Sequence, residues 1–274
     1  MHKKCFSLSS IVLFSTLTVS SFSQADVQNE VNLGVADIKD AEDRFLGIGY
    51  TRYASEINST DGPLLITPYL QRIDSVSADY FGLSHRDSYN LRGTTFINDK
   101  WMLSGRLSYT DSEYRNENEK TVSAQAGYFI NRNWQVGASL TYERYEYEFQ
   151  MWSYENSEIL LGERLKYSDT QFSPSIFTRY TQVVDGSGWD LTANLRMSDR
   201  DSLELSGRYF FNLRFSISTT YSYLETPYYE DEHVVEVGFN YWFSERASLT
   251  FGLGTDIKDS DGLRSATLLG SYRF

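Results

Sequence analysis

SATLLGSYRF, residues 265–274, closes the chain, and the way it alternates decides the fold. Counted back from Phe274 in steps of two, Tyr272, Gly270, Leu268 and Ala266 share one face, and Arg273, Ser271, Leu269, Thr267 and Ser265 share the other. A period of two is that of a β-strand, because successive side chains point to opposite faces. The last residues of soluble domains are commonly loose and solvated. Here an apolar, aromatic alternation runs to the final carboxylate, which predicts a terminal strand with one face in an apolar medium and one in water.

The same pattern recurs along the chain. In WQVGASLTY (134–142) Trp134, Val136, Ala138, Leu140 and Tyr142 oppose Gln135, Gly137, Ser139 and Thr141. WDLTANLRM (189–197) sets Trp189, Leu191, Ala193, Leu195 and Met197 against Asp190, Thr192, Asn194 and Arg196, and LRFSISTTYSY (213–223) repeats the arrangement. A half-buried antiparallel sheet of a soluble protein also alternates. It gives no reason for aromatics at both ends of the apolar face, whereas the two interfaces of a bilayer select such girdles.

The turns between these segments fall into two alternating classes. INDKW (97–101), INRNW (130–134), FFNLR (210–214) and FSERAS (243–248) are tight, while DSEYRNENEK (111–120), ETPYYEDEH (225–233) and DIKDSDG (256–262) are acidic and longer. Short turns at one end and longer charged loops at the other are the signature of outer-membrane barrels. The fold expected is therefore all-β, a transmembrane antiparallel up-and-down β-barrel of about fourteen strands, with twelve or sixteen left open. The strands fall near 27–37, 44–55, 75–85, 89–97, 101–114, 120–130, 134–152, 160–182, 189–198, 203–212, 213–227, 234–243, 247–258 and 263–274. Both ends of the barrel chain then lie on the periplasmic side. Residues 56–74 become one long periplasmic connection with room for a short helix or a plug-like turn. Eight strands enclose a lumen filled by side chains and sixteen an aqueous channel, so fourteen imply a narrow water-filled pore.

The N-terminus gives the compartment. MHKK is a short positive segment, IVLFSTLTV (11–19) an apolar run too short to span a bilayer as a helix, and Ser23-Gln24-Ala25 a small-residue cleavage site; together they read as a signal peptide over residues 1–25. The remaining 249 of the 274 residues form a single barrel domain, residues 26–274. Cys5 is the only cysteine and goes with the signal, so no disulfide staples the domain. Loss of Lys3 and Lys4 takes the 25 basic residues to 23 against 37 acidic ones, a formal charge of −14 that excludes nucleic acid as a partner. The destination is the bacterial outer membrane.

Two stretches carry a resemblance to known proteins. The alternation ending in Tyr272-x-Phe274 resembles the C-terminal signal that the outer-membrane assembly machinery recognises. GPLLITPYLQRIDSVSADY (62–80) resembles a Gly-Pro…Phe-Leu-x-Arg…Ser-Val segment of the "putative porin" family of Gram-negative bacteria, with Tyr69 at the phenylalanine position. The resemblance implies a channel for passive diffusion of small hydrophilic solutes. It also implies contacts with outer-membrane lipid and lipopolysaccharide, and assembly through Tyr272 and Phe274. It leaves the oligomeric state open.

Residue chemistry gives little support to an enzyme. The barrel domain contains only His85 and His233, both at outward strand ends, with no nucleophile motif beside them. DIKDSDG lacks the closing glutamate of a calcium loop and is better explained as a hairpin turn. No metal or cofactor is expected. The functional candidates are charges on the inward face: Glu143, Glu204, Glu236 and Asp256 in the outer half of the lumen, Arg106 and Arg208 near mid-barrel, Arg179, Arg214 and Arg273 nearer the periplasm, and Arg196 on the inward face of 189–197. They give an acidic mouth over a basic waist, unless inter-strand salt bridges absorb them. Most inward residues are small or polar, which favours a channel. Inward Phe96, Phe129, Phe177, Phe210 and Trp242 count towards a second reading, a non-conducting barrel that adheres or supports through its outer loops. A hydrolase is the third. Parity breaks after Tyr142, so either a bulge lies near Arg144 or the hairpin 144–166 rises above the membrane and serves as a gate.

Overall fold

The computed structural model describes residues 27–39, 44–83, 85–112, 117–155, 158–225, 231–258 and 262–274, without side chains at 83 and 149–163. The signal segment 1–25 lies outside the described residues. Fourteen strands follow one another: β1 (Asn29–Ile38), β2 (Phe45–Tyr53), β3 (Ser75–Leu83), β4 (Arg86–Ile97), β5 (Trp101–Ser112), β6 (Glu117–Phe129) and β7 (Trp134–Glu155), then β8 (Glu158–Val184), β9 (Ser187–Arg196), β10 (Ser202–Phe210), β11 (Phe215–Leu224), β12 (Glu232–Trp242), β13 (Ala247–Asp256) and β14 (Leu263–Arg273). Each pairs antiparallel with its sequence neighbours, and β1 pairs with β14 to close the barrel. A single turn of helix, α1 (Thr67–Leu70), interrupts the pattern, and no described helix is long and apolar enough to cross a membrane.

Closure accounts for the C-terminal alternation. The β1–β14 ladder runs from Glu30 opposite Arg273 to Ile38 opposite Ser265. The carbonyl of Phe274 accepts the N–H groups of Gln28 and Asn29 at 3.2 and 2.9 Å, and its own N–H donates to Asn29 O at 2.9 Å. A barrel has no free sheet edge only if this seam is made.

Most strands have 9 to 13 residues, enough to cross the hydrocarbon core, whereas β7 and β8 have 22 and 27. Their pairing is continuous from Trp134 opposite Tyr180 to Gln150 opposite Arg164, and the register shifts only between Gln150 and Trp152. There is no bulge at Arg144. The parity change therefore reflects the second alternative, a hairpin that outruns the membrane and so loses its lipid-facing constraint.

At the other end the turns are tight. Asp185 and Gly186, between the paired Val184 and Ser187, take positive φ, 51° and 79°; two successive left-handed residues are what a two-residue hairpin loop between right-twisted strands requires. Asn98 and Asp99, at 51° and 53°, open the three-residue turn between the paired Ile97 and Trp101. Apolar side chains on the outward face, such as Leu46 and Phe172 at 64% and 63% exposure, would be unfavourable in water and suit lipid. Aromatic pairs ring both margins. Trp101–Tyr128, Trp189–Tyr209 and Tyr272–Phe274 lie at the end bearing the termini, with centroids 5.0, 4.7 and 6.2 Å apart. Tyr80–Tyr89 and Tyr142–Phe172, at 5.2 and 5.0 Å, lie at the other.

Candidate functional site in the barrel lumen

The segment between β2 and β3 does not hang below the barrel. It folds back into the lumen, and almost all of the buried apolar residues cluster there: Ile57, Leu64, Ile66 and Ile73 from the segment, Tyr53 at its start, and Phe129, Phe210 and Trp242 from the inward wall. Pro68 at the start of α1 fits the first turn of a helix, and buried Thr67 donates its hydroxyl to Pro63 O at 2.9 Å. The Tyr69 ring then meets Phe96 and Phe129 at 6.4 and 6.0 Å and lies under the guanidinium of Arg179, 3.5 Å from its centroid, while its hydroxyl donates to Gln135 Oε1 at 3.2 Å. Across the lumen Leu64 N–H donates to Leu213 O at 2.9 Å, and Leu64 O accepts from Arg273 at 2.8 Å. Residues from β4, β6, β7, β8 and β14 thus hold one plug. Each fully buried aliphatic side chain contributes about 1.5–3 kcal/mol to this docking. Four of the inward aromatics that the sequence sets against an open lumen, Phe96, Phe129, Phe210 and Trp242, belong to this layer at the periplasmic margin.

The candidate charges divide into paired and unpaired. Arg179 makes a two-pronged bond to Asp190 at 2.8 and 2.9 Å, and Thr181 adds a hydroxyl to the same carboxylate at 2.7 Å. Arg196 binds the buried Glu143 and reaches Ser173 at 3.1 Å. Arg273 binds Glu30 at 2.6 Å and stacks over Trp242 at 4.3 Å. Asp256 pairs with Arg264 at 3.0 Å, which also holds Glu232 at 2.9 Å. Arg106, Arg208, Glu204 and Glu236 make no ion pair within 4.0 Å among the described residues.

Two positions differ from expectation. Arg208 stands two residues from the end of β10, opposite Asp190, so it belongs to the periplasmic margin and not to mid-barrel. Arg214 precedes β11 in the exposed turn 211–214, where it occupies the rim and not the wall.

Three further residues hold partners that parity alone does not assign. Arg264 shares parity with lipid-facing Tyr272, but β14 carries one extra residue there, since Gly254 pairs with Ser265 and Thr255 with Leu263; the bulge turns Arg264 towards Glu232 and Asp256. Glu30 and Asp190 have inward parity, yet their roles as partners of Arg273 and Arg179 depend on cross-strand register. Above the membrane, Glu148 and Lys166 pair on the long hairpin at 2.6 Å. Their hydrogen bond and mutual attraction hold the carboxyl below and the ammonium above their ordinary values.

A closed fourteen-stranded wall, two aromatic girdles and a polar lumen with an internal plug describe an outer-membrane channel protein. The family of putative general bacterial porins matches residues 1–269. The chain belongs to that family. Among solved structures, the outer membrane protein Omp33 of Acinetobacter baumannii is similar over 91% of this chain and 99% of its own, with a TM-score of 0.70 at 14% identity, a likeness of fold. The KdgM porin (TM-score 0.45, 10% identity, 89% of this chain and 99% of its own) and OmpT of Vibrio cholerae (0.48, 11%, 91% and 97%) are more remote. No curated protein matches the chain. The porin is thus a bacterial outer-membrane barrel, and the two described histidines lie away from the plug: His85 is exposed, and His233 Nδ1 lies 2.8 Å from the Tyr221 hydroxyl in the outer girdle.

Proposed function

We propose that the porin, freed of residues 1–25, is a narrow channel for passive diffusion of small hydrophilic solutes, with no catalytic step. The observation that carries this reading is the wall above the plug, where hydroxyl and amide side chains bond to one another across strands. Thr94 donates to Ser104 at 3.2 Å, Thr220 to Ser206 at 3.1 Å and Asn240 to Thr250 at 2.7 Å, and Ser88 meets Thr110 at 2.9 Å. Small polar groups already satisfied along the wall leave the centre to water. Of the candidate charges, Glu204 and Glu236 supply an unpaired acidic outer lumen and Arg106 an unpaired cation below it. The paired sets, Arg196 with Glu143 and Arg179 with Asp190, brace the wall. Tyr272 and Phe274 present the strand read by the assembly machinery, and the outer aromatic girdle faces lipopolysaccharide.

The plug favours a second reading, a barrel that does not conduct and acts through its outer loops. Liposome swelling in arabinose separates the two. Refolded protein that accelerates swelling supports the channel. A folded, heat-modifiable barrel that admits neither arabinose nor ions supports the second reading.

A further inference from the structure

The β4–β5 ladder places Arg92 directly opposite Arg106. Both belong to the lumen-facing set, because Arg92 shares parity with Phe96, which touches the plug, and Arg106 shares parity with Ser104, which bonds to Thr94. Like charges facing each other across a ladder destabilise it. No carboxylate pairs with them: among the described residues neither guanidinium forms an ion pair within 4.0 Å. The acidic residue on this wall is Asp79, which pairs with Asn90 one row farther out and acts on Arg106 only at longer range. The rows around the pair are short and hydrogen-bonding. Ser77 stands opposite Arg92 on β3, Ser123 opposite Arg106 on β6, and Asn90 opposite Ser108 one row outward. Arg92 stands four positions before Phe96, so the pair lies roughly 13 Å along the strand from the plug contact, towards the outer end.

From this juxtaposition we infer that Arg92 and Arg106 form a binding site for small carboxylate solutes, entered from the outer vestibule above the plug. Each guanidinium offers a planar fork of donors suited to a carboxylate. Two forks on adjacent strands accept the two ends of a short dicarboxylate or clasp one carboxylate jointly, and the serines around them supply neutral donors. The bound anion relieves the repulsion that the empty site carries. Arg179 and Arg273 cannot compete for it, since Asp190 and Glu30 already occupy their forks. The inference deepens the channel reading by naming a solute class.

Two measurements on the refolded full barrel test it. Titration calorimetry in detergent at low salt, with succinate as probe, is expected to show binding that weakens by about tenfold or more in Arg92→Ser/Arg106→Ser. The Arg92→Lys/Arg106→Lys variant keeps the charge without the forks and is expected to fall between. Liposome swelling in arabinose, a neutral sugar, is measured on wild type alongside the titrations and reports whether the lumen is open. Succinate binding without arabinose entry keeps the site and removes the channel. Arabinose entry with equal succinate affinity in wild type and the serine variant, or with no binding in either, overturns the site and keeps the channel. Equal affinity in the lysine variant and wild type overturns recognition by the forks.

Discussion

Tyr69 concentrates the chemistry of the plug: two aromatic contacts, one cation–π contact at 3.5 Å and a hydrogen bond to Gln135 meet on one ring. Truncation to alanine removes the packing and the cation–π contact together, a loss of roughly 3 kcal/mol. Tyr69→Ala should therefore raise the time the plug spends undocked by about two orders of magnitude, seen as frequent openings in single-channel traces. Burial pushes the Tyr69 phenol above its ordinary value, so its neutral form is the docked one. That contribution is complete below the unfolded tyrosine value of about 10 and is lost as pH rises through the higher folded value; openings should be independent of this group from pH 5 to about 9. At Arg196 the issue is desolvation. Its partner Glu143 retains 8% of its side-chain exposure, and removing the cation strands that carboxylate. Arg196→Ala should cost about 2–4 kcal/mol in urea unfolding from micelles, and Glu143→Gln in the same chain should return part of it. The Arg196 and Glu143 parities are legible in the sequence. Their meeting is not, because β8 lies between β7 and β9 and only the barrel's stagger brings them together.

At the scale of elements, alternation and turn class locate all fourteen strands, since each strand must bury one face in lipid and show the other to water. What alternation cannot locate is a change of phase. The bulge that turns Arg264 inward inserts a single residue near the outer end of β14, and nothing in SATLLGSYRF or the residues before it signals this. The plug is legible only as an overlong connection: its sequence has no period, because its side chains seat in a lumen assembled from strands far along the chain. The C-terminal strand lends itself to a direct test. Phe274 contributes three backbone hydrogen bonds to the β1 seam and a stacked ring to the inner girdle. Deleting it opens one end of the closure and removes the terminal aromatic. The deletion should leave most of the chain in the periplasm, sensitive to protease and no longer heat-modifiable on gels. Wild-type yield in the outer membrane would show that neither the seam nor the assembly signal needs this residue.

Over the whole molecule, two electrostatic contributions oppose each other. The domain carries 37 acidic residues, many in loops at the outer end, and Glu204 and Glu236 continue that field into the lumen. Exposed charges of this kind act over about 8 Å at physiological salt and farther when salt is dilute. The opposing cations are fewer than the sequence suggests. Arg179, Arg196 and Arg273 are neutralised by Asp190, Glu143 and Glu30, and Arg208 sits at the periplasmic margin, so Arg106 with Arg92 opposite it forms the positive belt above the plug that no ion pair within 4.0 Å occupies among the described residues. At low ionic strength the acidic field dominates, and the channel should be weakly cation-selective. Raising the salt screens the distant loops before it screens groups lining a confined water column, so the preference should fade. Arg106→Glu changes the near charge by two units where permeating ions must pass, and should strengthen cation preference at every salt concentration. Arg208→Glu should do less, because Arg208 lies at the periplasmic margin, away from the β4–β5 wall. Reversal potentials under a potassium chloride gradient measure both. An unchanged reversal potential in a normally conducting Arg106→Glu channel would mean that ions bypass the β4–β5 wall, and the cationic belt would then have no part in selectivity.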